Sequence, residues 1–351
     1  MNKNLTKIKY LFLIIFFYLI IFNNSKKKKI GVICLNHGNN IGNCLLEYAM
    51  SIKLKELGFT PYMVGTNYKQ REIDFLKKYT NCRIIKTNFS EIKQKEYDYL
   101  MVNSDQTWRK FSKIHFYDIG FLKFAKNWNI PKFVYGASLG YSDWRLTKQD
   151  DYIAKDLLKN FTGISIREKG SVDLVKTHFG INPIYVIDPT LLIDKYYYLK
   201  IIKIFKYKKV YNGQYIFTYI LKKEKKILNF IEYSSKNLKY KINNVKLGEK
   251  NSIEKFIYGI KNSKAVITNS YHGTLFAIIF NKPFISFISK NSAKERFYSL
   301  KKTLDIKDRI LENNKVPNID LLITPLNINQ TLINSLKNKS INFLKKNLVL
   351  S

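Results

Sequence analysis

Short apolar runs alternate with helix-spaced segments along most of this chain, and this alternation constrains the fold more than any other feature. Residues 30–35 form a continuous apolar run, which is typical of a strand buried on both faces of a parallel sheet. Between residues 46 and 57, leucine and methionine recur at helical spacing, and Gly58 follows where a helix would end. Because strands alternating with helices form βαβ units, the sequence predicts an α/β fold with parallel sheets.

The alternation occurs in two series, which predict two Rossmann-like domains facing a cleft. The first series predicts strands at residues 30–35, 60–64, 97–102, 132–137, 163–166 and 184–187, with helices at 148–160 and 168–178. The second predicts strands at 215–221, 241–245, 265–268 and 284–288, with helices at 223–236, 252–262 and 272–280. The predicted organisation is an N-terminal domain at 30–193, a linker at 194–210, a C-terminal domain at 211–328 and a final helix at 329–351.

Residues 1–29 differ from the rest of the chain. Residues 11–22 are apolar throughout, with lysines before and after them. A helix of that length rises about 18 Å, short of the roughly 30 Å hydrocarbon core of a bilayer. A lysine tract after an apolar run is more usual on the cytoplasmic side. We interpret the segment as an interfacial or signal-anchor-like element that holds a cytoplasmic protein at the inner membrane face. The alternative is an extension without a role.

The charge and the cysteines set broad limits on partners. The chain has 351 residues and a formal net charge of +35, which favours anionic partners such as phosphorylated substrates, nucleic acid or an anionic membrane. The alternative is a lysine excess spread thinly over the surface. Cys34, Cys44 and Cys82 include no CxxC pair, and the cysteines and histidines are too scattered for a zinc cluster. We therefore expect no metal and no catalytic cysteine.

Polar residues follow several predicted strands, where parallel sheets build their sites. The loop at residues 36–43 contains Asn39 and Asn43 and enters a helix, whose first N–H groups would favour an anion; a plain turn is the alternative. Ser104, Asp105, Gln106 and Trp108 follow the strand at 97–102. There Asp105 could bind a sugar hydroxyl and Trp108 could stack on a sugar face, or the segment is a capping turn with a core tryptophan.

Two further strand ends offer charged groups. Arg167 follows the strand at 163–166, and an arginine there can grip a carboxylate or phosphate bidentately. The alternative is a surface ion pair between Arg167 and Glu168. Asp188 follows the strand at 184–187, and Pro189 would fix its carboxylate near the cleft or simply form a turn.

The segment at residues 269–274 is the most informative. It joins the strand at 265–268 to an apolar helix and places His272 in a polar elbow with Ser270, Gly273 and Thr274. A helix N-terminus favours a bound phosphate, and a histidine exchanges protons near neutral pH. A histidine with a purely structural role is the alternative.

These motifs, taken together and in order, resemble the polysaccharide pyruvyl transferase family over roughly residues 30–290. Two departures are mild: the elbow has Asn269 and Tyr271 where the family more often has aspartate and phenylalanine, and Leu139 replaces a phenylalanine. The matching segments are Asn39-Asn40-Ile41-Gly42-Asn43, Leu46-Glu47-Tyr48-Ala49, Ser104-Asp105-Gln106-Thr107-Trp108, Ala137-Ser138-Leu139-Gly140, Ser165-Ile166-Arg167-Glu168, Asp188-Pro189-Thr190 and Ser270-Tyr271-His272-Gly273.

The resemblance implies a fold like that of GT-B glycosyltransferases, phosphoenolpyruvate as donor and a sugar diol of a cell-surface polysaccharide or its precursor as acceptor. It implies that Arg167 binds the anionic groups of the donor and that His272 acts in proton transfer. We expect Ser270, Gly273, Thr274, Asn39 and Asn43 to assist donor binding, and Ser104, Asp105, Gln106, Trp108 and Asp188 to bind the acceptor. No cofactor and no nucleic acid partner are expected.

Two other functions stay open from the sequence. A GT-B glycosyltransferase that uses a nucleotide sugar would have the same fold, although no distinctive acidic ribose-binding residue is visible. A non-enzymatic, basic, membrane-associated binding protein for anionic polymers would explain the charge but not the ordered loop motifs.

Overall fold

The computed structural model describes residues 27–35, 40–110, 116–205, 214–246, 248–249, 252–290, 292–312 and 315–348. Most of the predicted membrane segment, residues 1–26, lies outside this part of the chain. Within it, no helix has the length and apolar character needed to cross a bilayer. The described residues form two parallel sheets, as the sequence predicts.

The first sheet has seven strands in the order β3-β2-β1-β4-β5-β6-β7. The strands are β1 (Lys29–Ile33), β2 (Thr60–Gly65), β3 (Arg83–Lys86), β4 (Tyr99–Val102), β5 (Lys132–Ala137), β6 (Gly163–Ile166) and β7 (Ile184–Tyr185). Its helices are α1 (Ile41–Glu56), α2 (Gln70–Thr80), α3 (Phe116–Phe121), α4 (Lys148–Leu158) and α5 (Ser171–Phe179). The central strands β4 and β5 are buried along their whole length, which explains why their sequences are mainly apolar.

The second sheet has five strands in the order β12-β11-β10-β8-β9. The strands are β8 (Tyr215–Tyr219), β9 (Lys241–Asn244), β10 (Ala265–Thr268), β11 (Phe284–Ile288) and β12 (Ile310–Glu312). The helices after the first domain are α6 (Lys195–Phe205), α7 (Lys225–Leu238), α8 (Ser252–Asn262), α9 (Tyr271–Ile279), α10 (Lys294–Leu304) and α11 (Gln330–Asn347).

The strand order determines where a site can form. In the first sheet the order reverses beside β1, which pairs with β2 on one side and β4 on the other. In the second sheet it reverses beside β8, which pairs with β9 and β10. Ligands of open parallel sheets bind outside the carboxyl ends of strands at such points. The polar residues after β4, β6 and β10 are therefore placed where chemistry is expected.

The final helix, α11, packs on the first domain although it follows the second in sequence. The ring of Phe343 lies 6.3 Å from that of Phe133 and 6.2 Å from that of Tyr135, centroid to centroid. The backbone N–H of Ile187 donates to Ser340 Oγ at 3.0 Å. Helix α11 thus ties the end of the second domain back to the first.

The structure also contains elements that the sequence patterns did not predict. Much of the predicted linker is the helix α6, while residues 206–210 lie outside the described residues. The strands β3 and β12 are short, and β3 is half-exposed, so neither has a continuous apolar run. The predicted α/β class with two Rossmann-like domains is confirmed.

Candidate active site

Arg167 lies at the carboxyl end of β6, held between two carboxylates. Its backbone N–H donates to the carbonyl of Ala137 at 2.9 Å, which continues the sheet ladder by one residue. Its guanidinium donates to Asp188 Oδ2 at 2.7 Å and to Asp105 Oδ1 at 3.2 Å. All three side chains are buried. Paired in this way, the guanidinium stays charged and fixed in position without contact with water.

Asp188 is fully engaged inside the protein. Besides accepting from Arg167, it accepts at Oδ1 from the backbone N–H of Thr190 at 3.0 Å and from its hydroxyl at 2.7 Å. Asp188 thereby caps the short 3₁₀ turn Pro189–Leu191. This arrangement makes it a positioning residue for Arg167, and its carboxylate has little capacity left for the sugar hydroxyl that it was predicted to bind.

Asp105 has an unusual backbone conformation. Its φ is 144°, a region that residues other than glycine rarely adopt. The backbone N–H of Ser138 donates to its carbonyl at 2.9 Å and holds the turn in place. Burial opposes ionisation of the side chain, but the positive charges of Arg167 and Arg296 outweigh it and lower its pKa. Asp105 is therefore an ionised carboxylate between two arginines.

His272 reaches the same point from the second domain. Ser270 caps α9 by accepting from the N–H of Gly273 at 3.3 Å, and His272 occupies the first turn. Its Nε2 lies 3.7 Å from Asp188 Oδ2 and has no hydrogen-bond partner among the described residues. Burial, reinforced by the nearby arginines, lowers its pKa to about 4. Without a ligand, the imidazole is therefore neutral at physiological pH.

Gly42 provides the surface on which the His272 ring rests. A Cβ built on Gly42 would lie 2.0 Å from Nδ1 of His272, closer than any side chain permits. Asn40 caps the same helix, α1, by accepting from the N–H of Gly42 at 2.9 Å. This glycine, in the first turn of α1 in the first domain, is thus required for the approach of the histidine from the second domain.

Arg296 completes the site, although the sequence patterns did not predict it. It lies in the first turn of α10, and its Nη1 is 3.9 Å from Asp105 Oδ1. The ring of Tyr271 lies between the arginines, 5.2 Å from Cζ of Arg167 and 5.0 Å from Cζ of Arg296. Burial and the like charge of Arg167 lower the pKa of Arg296. The sequence feature that could have identified Arg296 is its position after β11, at the carboxyl end of a strand.

The structure also changes the interpretation of Glu168. The surface ion pair considered for it is wrong, because both Arg167 and Glu168 are buried and their closest N–O distance is 4.0 Å. Burial raises the pKa of Glu168 to about 7, although Arg167 opposes that shift. Neither carboxylate oxygen has a hydrogen-bond partner in the described part of the chain. The carboxyl therefore exchanges its proton closer to neutral pH than an ordinary glutamate does.

Several other buried polar atoms of this region are unpartnered. Native proteins satisfy most buried polar atoms, so a group of unpartnered ones at one place indicates room for a polar ligand or water. The unpartnered atoms among the described residues include Arg167 Nε, Arg296 Nε, His272 Nε2 and Ser138 Oγ. Two cations, a neutral histidine and a helix N-terminus together can bind a small anion and exchange a proton with it.

Gln106 and Ser104, which were also predicted to bind the acceptor, differ in their burial. Gln106 is half-buried and accepts at Oε1 from Arg109 Nη1 at 2.6 Å. Ser104 is buried and donates to the carbonyl of Gly136 at 2.8 Å, so its hydroxyl braces β5. Gln106 is thus partly accessible, whereas the hydroxyl of Ser104 is occupied within the first domain.

Trp108 lies in the core of the first domain, and the expectation that it stacks on a sugar is wrong. Its ring is 1% exposed and stacks on Phe121 at 5.3 Å between centroids. Its indole N–H donates to the carbonyl of Gly120 at 2.8 Å. The ring and its polar tip are thus occupied within the protein.

The residues predicted to assist donor binding are partly engaged elsewhere. Asn39 lies outside the described residues. Asn43 donates from Nδ2 to the carbonyl of Leu35 at 2.7 Å and so links α1 to the end of β1. The hydroxyl of Thr274 contacts Ser286 Oγ at 2.7 Å. At the start of α9 the backbone N–H groups of Tyr271 and His272 have no intrahelical acceptor, so they can still face an anion.

No cluster of three or more metal-ligating side chains was found among the described residues. The charged groups of the site are instead paired arginines and carboxylates, which suit recognition of an organic anion.

Comparison with known proteins supports the interpretation of the sequence. Residues 40–291 match the model of a family described as polysaccharide pyruvyl transferase. This range contains the described site residues Asp105, Arg167, Asp188 and His272, while Arg296 lies just beyond it. No curated protein matches the chain.

Solved structures show the same architecture at low sequence identity. UDP-GlcNAc 2-epimerase from Methanocaldococcus jannaschii is 13% identical with a TM-score of 0.55, covering 84% of this chain and 90% of its own. The Neisseria meningitidis enzyme bound to UDP-GlcNAc is 11% identical with a TM-score of 0.51, covering 84% and 88%. Arabidopsis thaliana UGT89C1 complexed with UDP-L-rhamnose is 9% identical with a TM-score of 0.51, covering 92% and 94%. These likenesses establish a GT-B-like fold.

Proposed function

The chain belongs to the polysaccharide pyruvyl transferase family, and on that premise we propose that it transfers the pyruvyl group of phosphoenolpyruvate to two hydroxyls of a sugar as a cyclic ketal. One observation supports this proposal most strongly. Arg167 of the first domain and His272 and Arg296 of the second converge around Asp105 and Asp188 in a buried, polar space. A small molecule with a carboxylate and a phosphate matches two guanidinium groups and a helix N-terminus.

Arg167 and Arg296 would divide the anionic groups of the donor between them. Arg167 is fixed by two carboxylates, so it offers a rigid cation at the base of the site. Arg296 lies 3.9 Å from its nearest carboxylate oxygen, beyond hydrogen-bond distance. The guanidinium of Arg296 can therefore reorient toward a ligand at little cost in free energy, while Arg167 sets the position of the donor.

The reaction begins with proton transfer to carbon. In the proposed scheme the imidazolium of His272 protonates the methylene carbon of phosphoenolpyruvate, and the central carbon gains oxocarbenium character. One sugar hydroxyl attacks that carbon, and its proton returns to His272. The C–O bond to phosphate then breaks, and a second hydroxyl closes the ketal as its proton leaves with the phosphate. Cations and helix N–H groups stabilise the departing phosphate, and the scheme requires no cofactor.

This scheme requires His272 to gain a proton when the donor binds. In the unliganded protein its pKa is about 4, because burial and two arginines disfavour the charged ring. A bound donor adds negative charge next to the arginines and the ring, and added negative charge raises the pKa of a histidine. The imidazole thus becomes charged only in the complex with donor.

The acceptor is proposed to be a sugar of a cell-surface polysaccharide or its precursor. Gln106 is half-buried and its Oε1 accepts from Arg109, so its amide nitrogen would donate to a sugar hydroxyl. We further propose that the apolar segment at residues 11–22 holds the enzyme at the inner membrane face, where membrane-bound precursors would be within reach.

A phosphate-release assay tests the donor and the reaction together. Full-length protein is incubated with phosphoenolpyruvate and a mixed set of surface sugars, and acceptor-dependent phosphate release is measured. The expected result is release coupled to a pyruvate mass gain on one acceptor. The neighbouring solved proteins bound to UDP-sugars supply the rival test. Binding of UDP together with no binding of phosphoenolpyruvate would replace this proposal with nucleotide-sugar glycosyl transfer.

A further inference from the structure

A second basic space opens between the two domains, outside the buried site. We call it the outer cleft; its volume is about 610 Å³. That size is within the usual range for binding sites of small organic molecules, roughly 300–1,000 Å³. Its charged lining residues are Arg109, Asp143, Arg145, Lys290 and Lys294. Four cations and one carboxylate leave this space strongly positive.

The wall from the first domain is built around Tyr141. The guanidinium carbons of Arg109 and Arg145 lie 4.4 Å and 3.7 Å from the centroid of its ring. Arg109 also donates from Nε to the hydroxyl of Tyr141 at 2.7 Å. These contacts hold both arginines in place before any ligand binds. Because guanidinium groups already contact the Tyr141 ring, the ring positions cations and leaves little surface on which a sugar or a base could stack.

The opposite wall comes from the second domain. It presents Lys290, just after β11, and Lys294, at the start of α10. Neither lysine pairs with a carboxylate in the described part of the chain. Asp143, the acid of the lining, pairs with Arg145 at 3.0 Å on the first wall. The lysines therefore keep their charge for a ligand that bridges the walls.

The outer cleft adjoins the buried site through Gly140. This glycine has a φ of 72°, and a Cβ on it would lie 2.9 Å from Gln106 Oε1 and 3.3 Å from the Cβ of Ala293. The two domains thus approach closely there. Gln106 follows Asp105 directly, and Lys294 precedes Arg296 by two residues, so both walls continue into the donor site.

We propose that the outer cleft binds the phosphate or diphosphate group of a phosphorylated acceptor and so places its sugar next to the donor. This inference rests on the proposed function, since it treats the buried site as the donor site. The donor's own charges are matched by Arg167 and Arg296, and the outer cleft adds four more cations. Cations arranged on both walls, with the aromatic ring covered, suit phosphoryl oxygens better than a neutral sugar.

The test measures binding of inorganic pyrophosphate by isothermal titration calorimetry at physiological salt. The double variant Lys290→Ala/Lys294→Ala is compared with Lys77→Ala/Lys155→Ala, which removes the same charge from exposed positions on α2 and α4. The expected Kd increase is about tenfold or more for the cleft variant, because each lost charge-assisted hydrogen bond weakens binding by that order. The control is expected to stay within about twofold, since exposed distant charges are screened.

Three results would overturn the inference: no pyrophosphate binding by the wild-type protein, equal weakening in both variants, or simple displacement of pyrophosphate by phosphoenolpyruvate. Phosphoenolpyruvate binding is measured separately on the wild-type protein. Its absence would contradict the proposed function, whereas its presence without pyrophosphate binding would contradict only the outer cleft.

Two competitors distinguish the sources of a diphosphate. Uridine diphosphate represents a nucleotide-linked sugar, and farnesyl diphosphate represents a lipid-linked one. Competition with pyrophosphate by either one supports the inference, and the tighter competitor identifies the carrier. Failure of both to compete would exclude a diphosphate ester as the ligand.

Discussion

The imidazole Nε2 of His272 lies 3.7 Å from Oδ2 of Asp188, and the two residues belong to different domains. The same carboxylate oxygen accepts a hydrogen bond from Arg167 at 2.7 Å. Asp188 thus links the proposed anion-binding arginine to the proposed proton-transfer residue. A rotation of one domain against the other would change this contact, so the proposed chemistry depends on how the two domains are held together.

Replacement of the imidazole should separate binding from turnover. For His272→Gln we expect turnover to fall about 10²–10⁴-fold, the usual contribution of a general acid, while donor affinity changes little. The donor's charges are matched by the arginines, which this variant retains. The measurements are acceptor-dependent phosphate release and phosphoenolpyruvate binding by calorimetry. Near wild-type turnover would remove His272 from the mechanism.

The two arginines should respond differently to truncation. Arg167→Ala leaves Asp105 and Asp188 buried without their partner, and we expect a loss of about 3–5 kcal/mol in the free energy of unfolding. Arg296→Ala breaks no hydrogen bond to a carboxylate, so it should fold normally and weaken phosphoenolpyruvate binding roughly 10- to 100-fold. Urea denaturation and calorimetry distinguish these outcomes. Unchanged donor affinity in Arg296→Ala would contradict its role.

Glu168 should make the stability of the protein depend on pH. Its pKa is raised from an ordinary value near 4.5 to about 7 in the folded protein. The folded state therefore holds a proton that the unfolded state has released, and stability falls as pH rises from 4.5 to 7. Above pH 7 the loss in the free energy of unfolding is constant, about 3 kcal/mol for a shift of this size, and below pH 4.5 there is no such loss.

Glu168→Gln tests that linkage. We expect the difference in unfolding free energy between this variant and the wild type to move in favour of the variant from pH 5 to pH 8. Glu232→Gln, at an exposed position on α7, serves as the control and should show no such trend. A difference that stays flat across this range would show that Glu168 titrates normally.

Gly42 should be required for catalysis although it has no side chain. In Gly42→Ala the new methyl would overlap the His272 ring, since the built Cβ lies 2.0 Å from Nδ1. The ring must shift, and a displacement of this order costs about 10²-fold in rate. Alanine is a good helix former, so α1 itself should not be weakened. Phosphate release measures the loss of activity, and thermal melting measures the stability of the fold. Full activity would mean that catalysis does not depend on the position of the His272 ring against Gly42.

The sequence was sufficient for the fold class and for most of the candidate site residues. Strands buried on both faces need mainly apolar residues, and this local requirement is visible in residues 133–135 and 265–267. Polar residues directly after such strands must emerge at the carboxyl edge of the sheet. The strand pattern by itself therefore singles out Asp105, Arg167 and His272.

The tertiary structure decided which of these residues meet and in what state of charge. Trp108 faces the core, and the carboxylate of Asp188 is occupied by hydrogen bonds from Arg167 and Thr190. Arg296 reaches the site from a helix that carries no distinctive sequence motif. The low pKa of His272 and the high pKa of Glu168 arise mainly from burial, which depends on how two domains enclose the groups. Strand patterns are local properties of a sequence, whereas burial and the approach of opposite charges depend on residues far apart in the chain.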